Sequence, residues 1–442
     1  MPNVLRKLYN ILTDWQLLRS VLWRRVYLDG YLPFVISRRQ ARYVKKLKQK
    51  DYVNVVFLPM SVAMWKYQHI YELLKKDHRF RVYLFLSPFA NFTKSQRLEQ
   101  LQAMRAFFDK KEMKYVDYEL EEGKPMIDIR SVVDPDIIFY TQPYKGVMEE
   151  VRRHSHFYDK LLCYVPYAFL PRRQEMLYKR TFNTYAWKLY YPTKLIKDYA
   201  KRVNRNKACN VVVAGYPGAD DYFTPIKIDP WKVKDRSKKR IIWAPHYTII
   251  ENVGFFHVSY FLEMAKYMQE LAMDYADRIT FAFKPHPALY TLLCNHPDWG
   301  EEKAKEYYDF WASHQNTQLE TAEFVDLFKG SDAMIHDCGS FVIDYLYFGK
   351  PTLYDNPNID DAKASADELG THAYDAHYRV TSLSDIKKFI DDVVLVGNDP
   401  LESVRKEFFD TYLRRTDNRT ASQFIYDDIV NSIWGNPKDG DK

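Results

Sequence analysis

The chain has 442 residues, too many for one ordinary hydrophobic core, and its 47% hydrophobic and 28% charged content is that of a folded protein with two domains. Four cysteines (Cys163, Cys209, Cys294 and Cys338) without paired or metal-ligand spacing exclude a disulfide scaffold and a zinc module, and fit a reducing cytoplasm. The net charge of +7 is concentrated in residues 1–50, where twelve Lys/Arg stand against Asp14 and Asp29; the arm carries +10 and the rest −3, which argues against nucleic acid as a partner.

The arm interleaves its basic residues with Leu5, Leu8, Leu12, Trp15, Leu18, Leu22, Trp23 and Phe34 at helical spacing. It reads either as an interfacial helix on an anionic membrane surface or as a helix packed on the body with a solvated basic face. The first reading places the protein peripherally on the inner face of the cell membrane. No secretory leader and no run of ~18 uncharged apolar residues is present, so no segment is expected to span a bilayer.

Beyond the arm, strands are expected at Val53–Leu58, Arg81–Leu86, Tyr115–Tyr118, Asp136–Thr141, Leu161–Val165 and Val211–Ala214. Helices are expected at Trp65–Lys76, Thr93–Phe108, Val147–Arg152 and Lys194–Val203. Alternation at this spacing predicts a parallel sheet, and the absence of GxGxxG after the first strand removes a dinucleotide fingerprint. Gly215–Pro230, broken by Pro217, Pro225 and Pro230, is the expected hinge. A second series follows: strand Ile241–Ala244, helix Val258–Ala276, strand Ile279–Lys284, strand Ala333–Ile335, helix Phe341–Phe348 and an apolar strand after Gly349. Helices Asp385–Val396, Pro400–Tyr412 and Ala421–Trp434 complete the chain. The domains expected are an arm (1–50), an N-terminal Rossmann-like acceptor domain (51–225), a C-terminal Rossmann-like donor domain (226–415) and a terminal helix with its tail (416–442).

Three strand ends carry chemistry. Ile241–Ala244 runs into Pro245-His246, Ile279–Phe283 into Lys284-Pro285-His286-Pro287, and Ala333–Ile335 into His336-Asp337-Cys338-Gly339-Ser340. Proline cannot continue a central strand, so the first two stop and turn out at the sheet edge. Consecutive parallel strands bring such ends to one edge, where open α/β sheets bind ligands. Two imidazoles, an ammonium group and a helix N-terminus there suit a diphosphate.

Lys284–Pro287, the block from His336 to Pro351, and Gly215-Tyr216-Pro217-Gly218-Ala219-Asp220 resemble the CDP-glycerol glycerophosphotransferases of teichoic-acid and capsule polymer synthesis. The family's blocks read approximately RPHP, TDYSSxxxDF…KKP and GYPRxD, and Asp417–Ser422 is similar to its last helix start. The resemblance spans roughly Tyr164 to Trp434, and more weakly the sheet from Val53, and implies a glycosyltransferase-B-type fold, two Rossmann-like domains facing a cleft, with the donor in the C-terminal domain and neither metal nor other cofactor. Lys284 stands for the family's arginine, and His336, Cys338 and Gly339 for its threonine, tyrosine and first serine. Asp337, Ser340 and Asp344 match position by position. The family's WHGTP-like histidine has no counterpart in Cys163-Tyr164-Val165-Pro166-Tyr167-Ala168.

The candidate catalytic residues are therefore His286 and His246, with Lys284, Asp337, Gly339, Ser340 and Asp344 as nucleotide and phosphate ligands. Asp337 can bind a donor hydroxyl, orient a histidine or simply shape the turn. On the acceptor side the candidates are Tyr164, Tyr167 and His69, with Asp117 as another possible base. The resemblance implies transfer of a glycerophosphoryl group from a CDP-linked donor to a hydroxyl of a surface-polymer or lipid-linked saccharide. The alternatives are a glycosyltransferase of the same fold using a nucleotide sugar, which the missing histidine favours, and an inactive nucleotide-binding protein.

Overall fold

The computed structural model describes residues 31–117, 126–144, 152–249, 259–321 and 324–435. It divides into two compact units, one of residues 1–167, 174–218 and 417–442, the other of residues 168–173 and 219–416.

In the first unit, β1 (Val53–Leu58), β2 (Phe80–Leu84), β3 (Ile137–Tyr140), β4 (Leu161–Tyr164), β5 (Lys188–Tyr191) and β6 (Val211–Val213) form a parallel sheet in the order β2-β1-β3-β4-β5-β6. The near-continuous apolar runs of β1, β3 and β4 are what strands covered on both faces require. The expected strand at Tyr115 is reduced to one parallel bridge between Val116 and Phe85. β5 was not expected: it begins with Lys188, whose ammonium bonds Asp428 (2.6 Å) and Ser432 (2.7 Å) of the helix Ala421–Trp434. Tyr190 donates to the same Asp428, so a polar seam hides a strand from a hydrophobicity pattern. At the strand ends the Tyr67 hydroxyl donates to Tyr140 O (2.7 Å) and accepts from Val165 N (3.1 Å).

The helix Leu32–Leu47 buries Ile36, Gln40 and Leu47, and Gln40 Nε2 donates to Tyr185 O (2.8 Å). Its outer side exposes Phe34 and Val35 together with Arg38, Arg39, Arg42, Lys45 and Lys46. The earlier part of the arm, residues 1–30, and residues 147–151 of the expected helix Val147–Arg152 lie outside the described residues. No helix among the described residues is long and apolar enough to cross a membrane.

The second unit holds β7 (Lys239–Ala244), β8 (Ile279–Phe283), β9 (Thr317–Leu319), β10 (Ala333–His336), β11 (Thr352–Tyr354) and β12 (Tyr378–Arg379), all parallel, in the order β12-β11-β10-β7-β8-β9. Side-chain alternation along β7 sends Ile241 and Trp243 into an aromatic layer with Phe261, Phe283, Tyr307 and Trp311. Ile242 and Ala244 face a second layer around Trp231, Phe328 and Tyr345. Within the expected hinge, where the chain passes from the first unit to the second after residue 218, Pro217–Phe223 forms a 3₁₀ helix, since a proline at a helix start forfeits no hydrogen bond. Gly370 is where the early segment 168–173 meets this unit: a Cβ there would lie 2.3 Å from Pro171 O.

Arg240, 1% exposed, forks onto Asp229 (3.0 and 2.8 Å), donates to Val233 O (2.9 Å) and lies over the Trp231 ring. One guanidinium thus ties the connector to the first strand of the unit. R240M, which strands these acceptors, is expected to lower the unfolding free energy by about 2–4 kcal/mol in urea denaturation, and a change below about 1 kcal/mol would contradict that role.

Candidate active site

The order of the second sheet reverses between β7 and β10: from β7 the chain builds outward through β8 and β9, then crosses to β10 and continues on the other side. A crevice outside the strand ends forms at such a switch point. Ala244 and His336, the last residues of β7 and β10, are register partners, so Pro245-His246 and Asp337–Ser340 leave side by side.

Backbone bonds carry the ladder past the strands. Lys284 N donates to Trp243 O (2.8 Å) and His286 N to Pro245 O (3.1 Å), which ties the β8 exit to the β7 exit. Asp337 fixes the other side: its Oδ1 accepts from His246 N (2.6 Å) and its Oδ2 from Tyr260 N (3.2 Å). His246 and His286 meet with ring centroids 5.1 Å apart, and the Tyr247 ring lies 4.4 Å from each.

Each imidazole is oriented through Nδ1. His286 Nδ1 accepts from Ala288 N (3.2 Å), which places the proton of the neutral ring on Nε2 and makes that nitrogen a donor. His246 Nδ1 bonds the Thr248 hydroxyl at 3.0 Å. Burial lowers the pKa of His246 to about 4, and burial with the neighbouring His246 lowers that of His286 to about 4. Both rings are therefore neutral at physiological pH. Lys284 is also lowered by burial, an effect opposed by Glu320, and its ammonium sits 5.9 Å from the Phe324 ring centroid.

Four expected residues, His246, Lys284, His286 and Asp337, thus gather at neighbouring strand ends. Gly339 and Ser340 leave the same edge, with differences from expectation. Ser340 makes no capping bond; its hydroxyl is 3.5 Å from Cys338 Sγ. The helix expected from Phe341 to Phe348 is α-helical only over Phe341–Asp344 and tightens to 3₁₀ over Tyr345–Phe348. Gly339 is absent from the glycines with positive φ, so no left-handed backbone requires it. Asp344 is buried within this helical segment, its field raising the pKa of Tyr347, which burial already lifts.

His336 points away from the donors. It is fully buried, with Nε2 3.3 Å from His377 Nε2. The Gly349-Lys350 pair of the same block is scaffolding: Gly349 has φ 65°, and Lys350 Nζ donates to the carbonyls of Phe328 (2.8 Å), Lys329 (2.6 Å) and Ser331 (2.7 Å). Lysine there completes the end of the helix Val325–Gly330.

The acceptor-side candidates belong to the first unit. Tyr164 is buried with its hydroxyl 3.4 Å from that of Tyr144, and burial raises its pKa well above the ordinary value. Tyr167 offers its carbonyl to the Tyr216 hydroxyl (3.1 Å). His69 is more than one third exposed, 3.9 Å from Glu72. Asp117 is clamped by Arg105 at 2.8 and 3.0 Å. Tyr247 and Thr248 were not singled out in the sequence; their adjacency to His246 was the available signal.

A family model described as CDP-Glycerol:Poly(glycerophosphate) glycerophosphotransferase matches residues 171–428, more than half of the chain. Among solved structures, a variant of the wall teichoic acid polymerase TagF is similar with 13% identity and a TM-score of 0.59, covering 96% of this chain and 98% of that one. TagF itself gives 14% identity and a TM-score of 0.58 over 90% and 95%. A UDP-N-acetylglucosamine 2-epimerase gives 15% identity and a TM-score of 0.54 over 87% and 95%. At these identities the likeness is one of fold, and it agrees with the glycosyltransferase-B-type reading of two parallel-sheet units. No curated protein sequence matches the chain. By the model that spans most of its second unit, the chain belongs to the CDP-glycerol:poly(glycerophosphate) glycerophosphotransferase family.

Proposed function

We propose that this transferase binds the diphosphate of a CDP-linked polyol, CDP-glycerol in the first instance, at the exits of β7, β8 and β10. The observation that carries the reading is the pair His246 and His286, oriented through Nδ1 and joined by Tyr247 beside the switch point. Lys284, Gly339 and Ser340 border the same edge as further phosphate ligands, with Asp344 behind them. A solved TagF structure described with CDPG supports the choice of donor.

An acceptor hydroxyl attacks the phosphorus that bears the glycerol. The new P–O bond forms as the bond to the bridging oxygen breaks, CMP leaves and the hydroxyl proton passes to a base. Negative charge grows on the departing phosphate, where an imidazole Nε2–H and the Lys284 ammonium stabilise it, so side chains supply the positive charge. Asp337 acts in this scheme by holding the His246 turn. Of the acceptor-side candidates, His69 is favoured as base, since the hydroxyl of Tyr164 is buried and reluctant to ionise. The acceptor proposed is a growing teichoic-acid-like polymer or a lipid-linked saccharide. The missing histidine at the β4 exit keeps a nucleotide-sugar donor as the second reading. CDP-glycerol is expected to raise the melting temperature where UDP-, GDP- and ADP-linked compounds do not, and His286→Ala to retain the fold while losing about 100–1,000-fold in transfer rate. Stabilisation by another nucleotide sugar alone, or near-normal turnover of the variant, would contradict the assignment.

Protonation gives a second test. The free imidazoles titrate at about 4 against an ordinary 6.5, so the unfolded chain binds more protons in that window. Stability of the free protein is accordingly lost as pH falls from 6.5 towards about 4. A bound diphosphate favours imidazolium and raises both values, so the complex holds more protons than the free protein. Donor affinity is expected to rise as pH falls from about 7.5 to about 5.5, with proton uptake by calorimetry in two buffers of different ionisation enthalpy. Proton release would contradict the site.

We also propose that the exposed basic side of the helix Leu32–Leu47, with Phe34 and Val35, faces an anionic membrane on the cytoplasmic side. Co-flotation with anionic vesicles is expected at low salt and is expected to fall steeply at high salt, with neutral vesicles unbound. Salt-independent or absent flotation would contradict it.

A further inference from the structure

Asp355 is the first residue beyond β11, and Asp337 the first beyond β10. The last residues of these strands, Tyr354 and His336, are register partners, and Asp355 N donates to His336 O (3.0 Å). Alternation along a parallel pair therefore sets the two aspartates level with each other, on the sheet face that carries Trp243. Both are buried, Asp337 at 7% exposure and Asp355 at 2%.

Their surroundings differ. Burial raises the pKa of Asp337 too, but it accepts from two backbone N–H groups, those of His246 and Tyr260, and from the Ser259 side chain, donors that oppose that rise and favour the ionised carboxylate. From other residues Asp355 accepts one bond, from the Trp243 indole N–H to Oδ2 (3.1 Å), with its own backbone N–H as a further donor, and its Oδ1 has no hydrogen-bond partner among the described residues. A carboxylate in that position would be desolvated, helped by one neutral side-chain donor and its own amide alone, and set beside a second negative charge, which costs far more than keeping the proton. Burial first, and Asp337 second, push its pKa well up.

We propose that Asp355 is a neutral carboxylic acid in the folded protein, a positioning residue that keeps the floor beside Asp337 at one negative charge instead of two. The consequence for function rests on the reading of this edge as a diphosphate site. A doubly charged floor would repel the donor, whereas a neutral acid leaves Asp337 free to hold the His246 turn. The protonation itself does not depend on that reading.

Infrared spectroscopy of the full chain at neutral pH, without donor, tests it. A protonated-carboxyl C=O band is expected in the wild type, retained in D337N and lost in D355N. The amide of D355N presents an oxygen to Trp243 and a neutral donor in place of the acid hydroxyl, so donor affinity is expected to survive in this variant. Absence of the band from the wild type, its persistence in D355N, or loss of donor affinity in folded D355N would overturn the proposal. If D355N does not fold, ¹³Cγ-aspartate NMR of the wild type decides: one carboxyl that stays protonated at neutral pH is expected, and full ionisation of all aspartates overturns it. Wild type that shows the band yet binds no CDP-linked compound would instead defeat the donor reading and the functional half of the proposal.

Discussion

The arrangement at the switch point depends on the Asp337 carboxylate. Both of its oxygens are committed to backbone N–H groups that lie far away in sequence, one after β7 and one at the start of the helix Phe261–Asp274. Without a buried acceptor there, the amide of His246 would be desolvated with no partner, a loss of the order of 1–3 kcal/mol. The β8 exit is then fastened to the β7 exit by two further backbone bonds, so the imidazoles meet because the main chain is fixed first. An aspartate that appeared in the sequence as a donor ligand, a histidine orienter or a turn former serves the second of these ends through main chain.

Much of this was legible. Val53–Leu58, Lys194–Val203 and Ala421–Trp434 have the expected limits, because a doubly covered strand and amphipathic helices write their periods directly into the residues. The proline-flanked histidines were legible because proline limits where a strand can go. β5, β9 and β12 were not, being short and carrying polar residues whose partners are distant, as Lys188 is satisfied by Asp428. The inward turn of His336 was hidden for a related reason: only the fold reveals that His377 waits behind it. Lys350 and Gly349 show that a family block contains scaffold residues, which spacing alone cannot single out.

The electrostatic character of the edge follows from desolvation more than from formal charge. His246, His286 and Lys284 are all shifted towards their neutral forms by burial. Under the proposed donor reading, an anion at that edge would meet groups that gain protons in response, so its own charge would help create the cations that hold it. Such a site would discriminate against neutral ligands of similar shape, because they cannot offset the cost of charging buried imidazoles.

The path of the chain through the two units bears on the order of folding. Helix Ala421–Trp434 supplies Asp428 to β5 and Tyr426 to Asp77, both in the first unit, although it is among the last parts to be synthesised. Residues 168–173, made long before β7, close onto Gly370 in the second. The first sheet therefore leaves the ribosome with one polar seam open and remains incomplete until residue 434 has emerged, whereas the second can close as soon as its own strands are made. Translation order and completion order are inverted, and the nascent N-terminal half is the part that most needs shielding from aggregation.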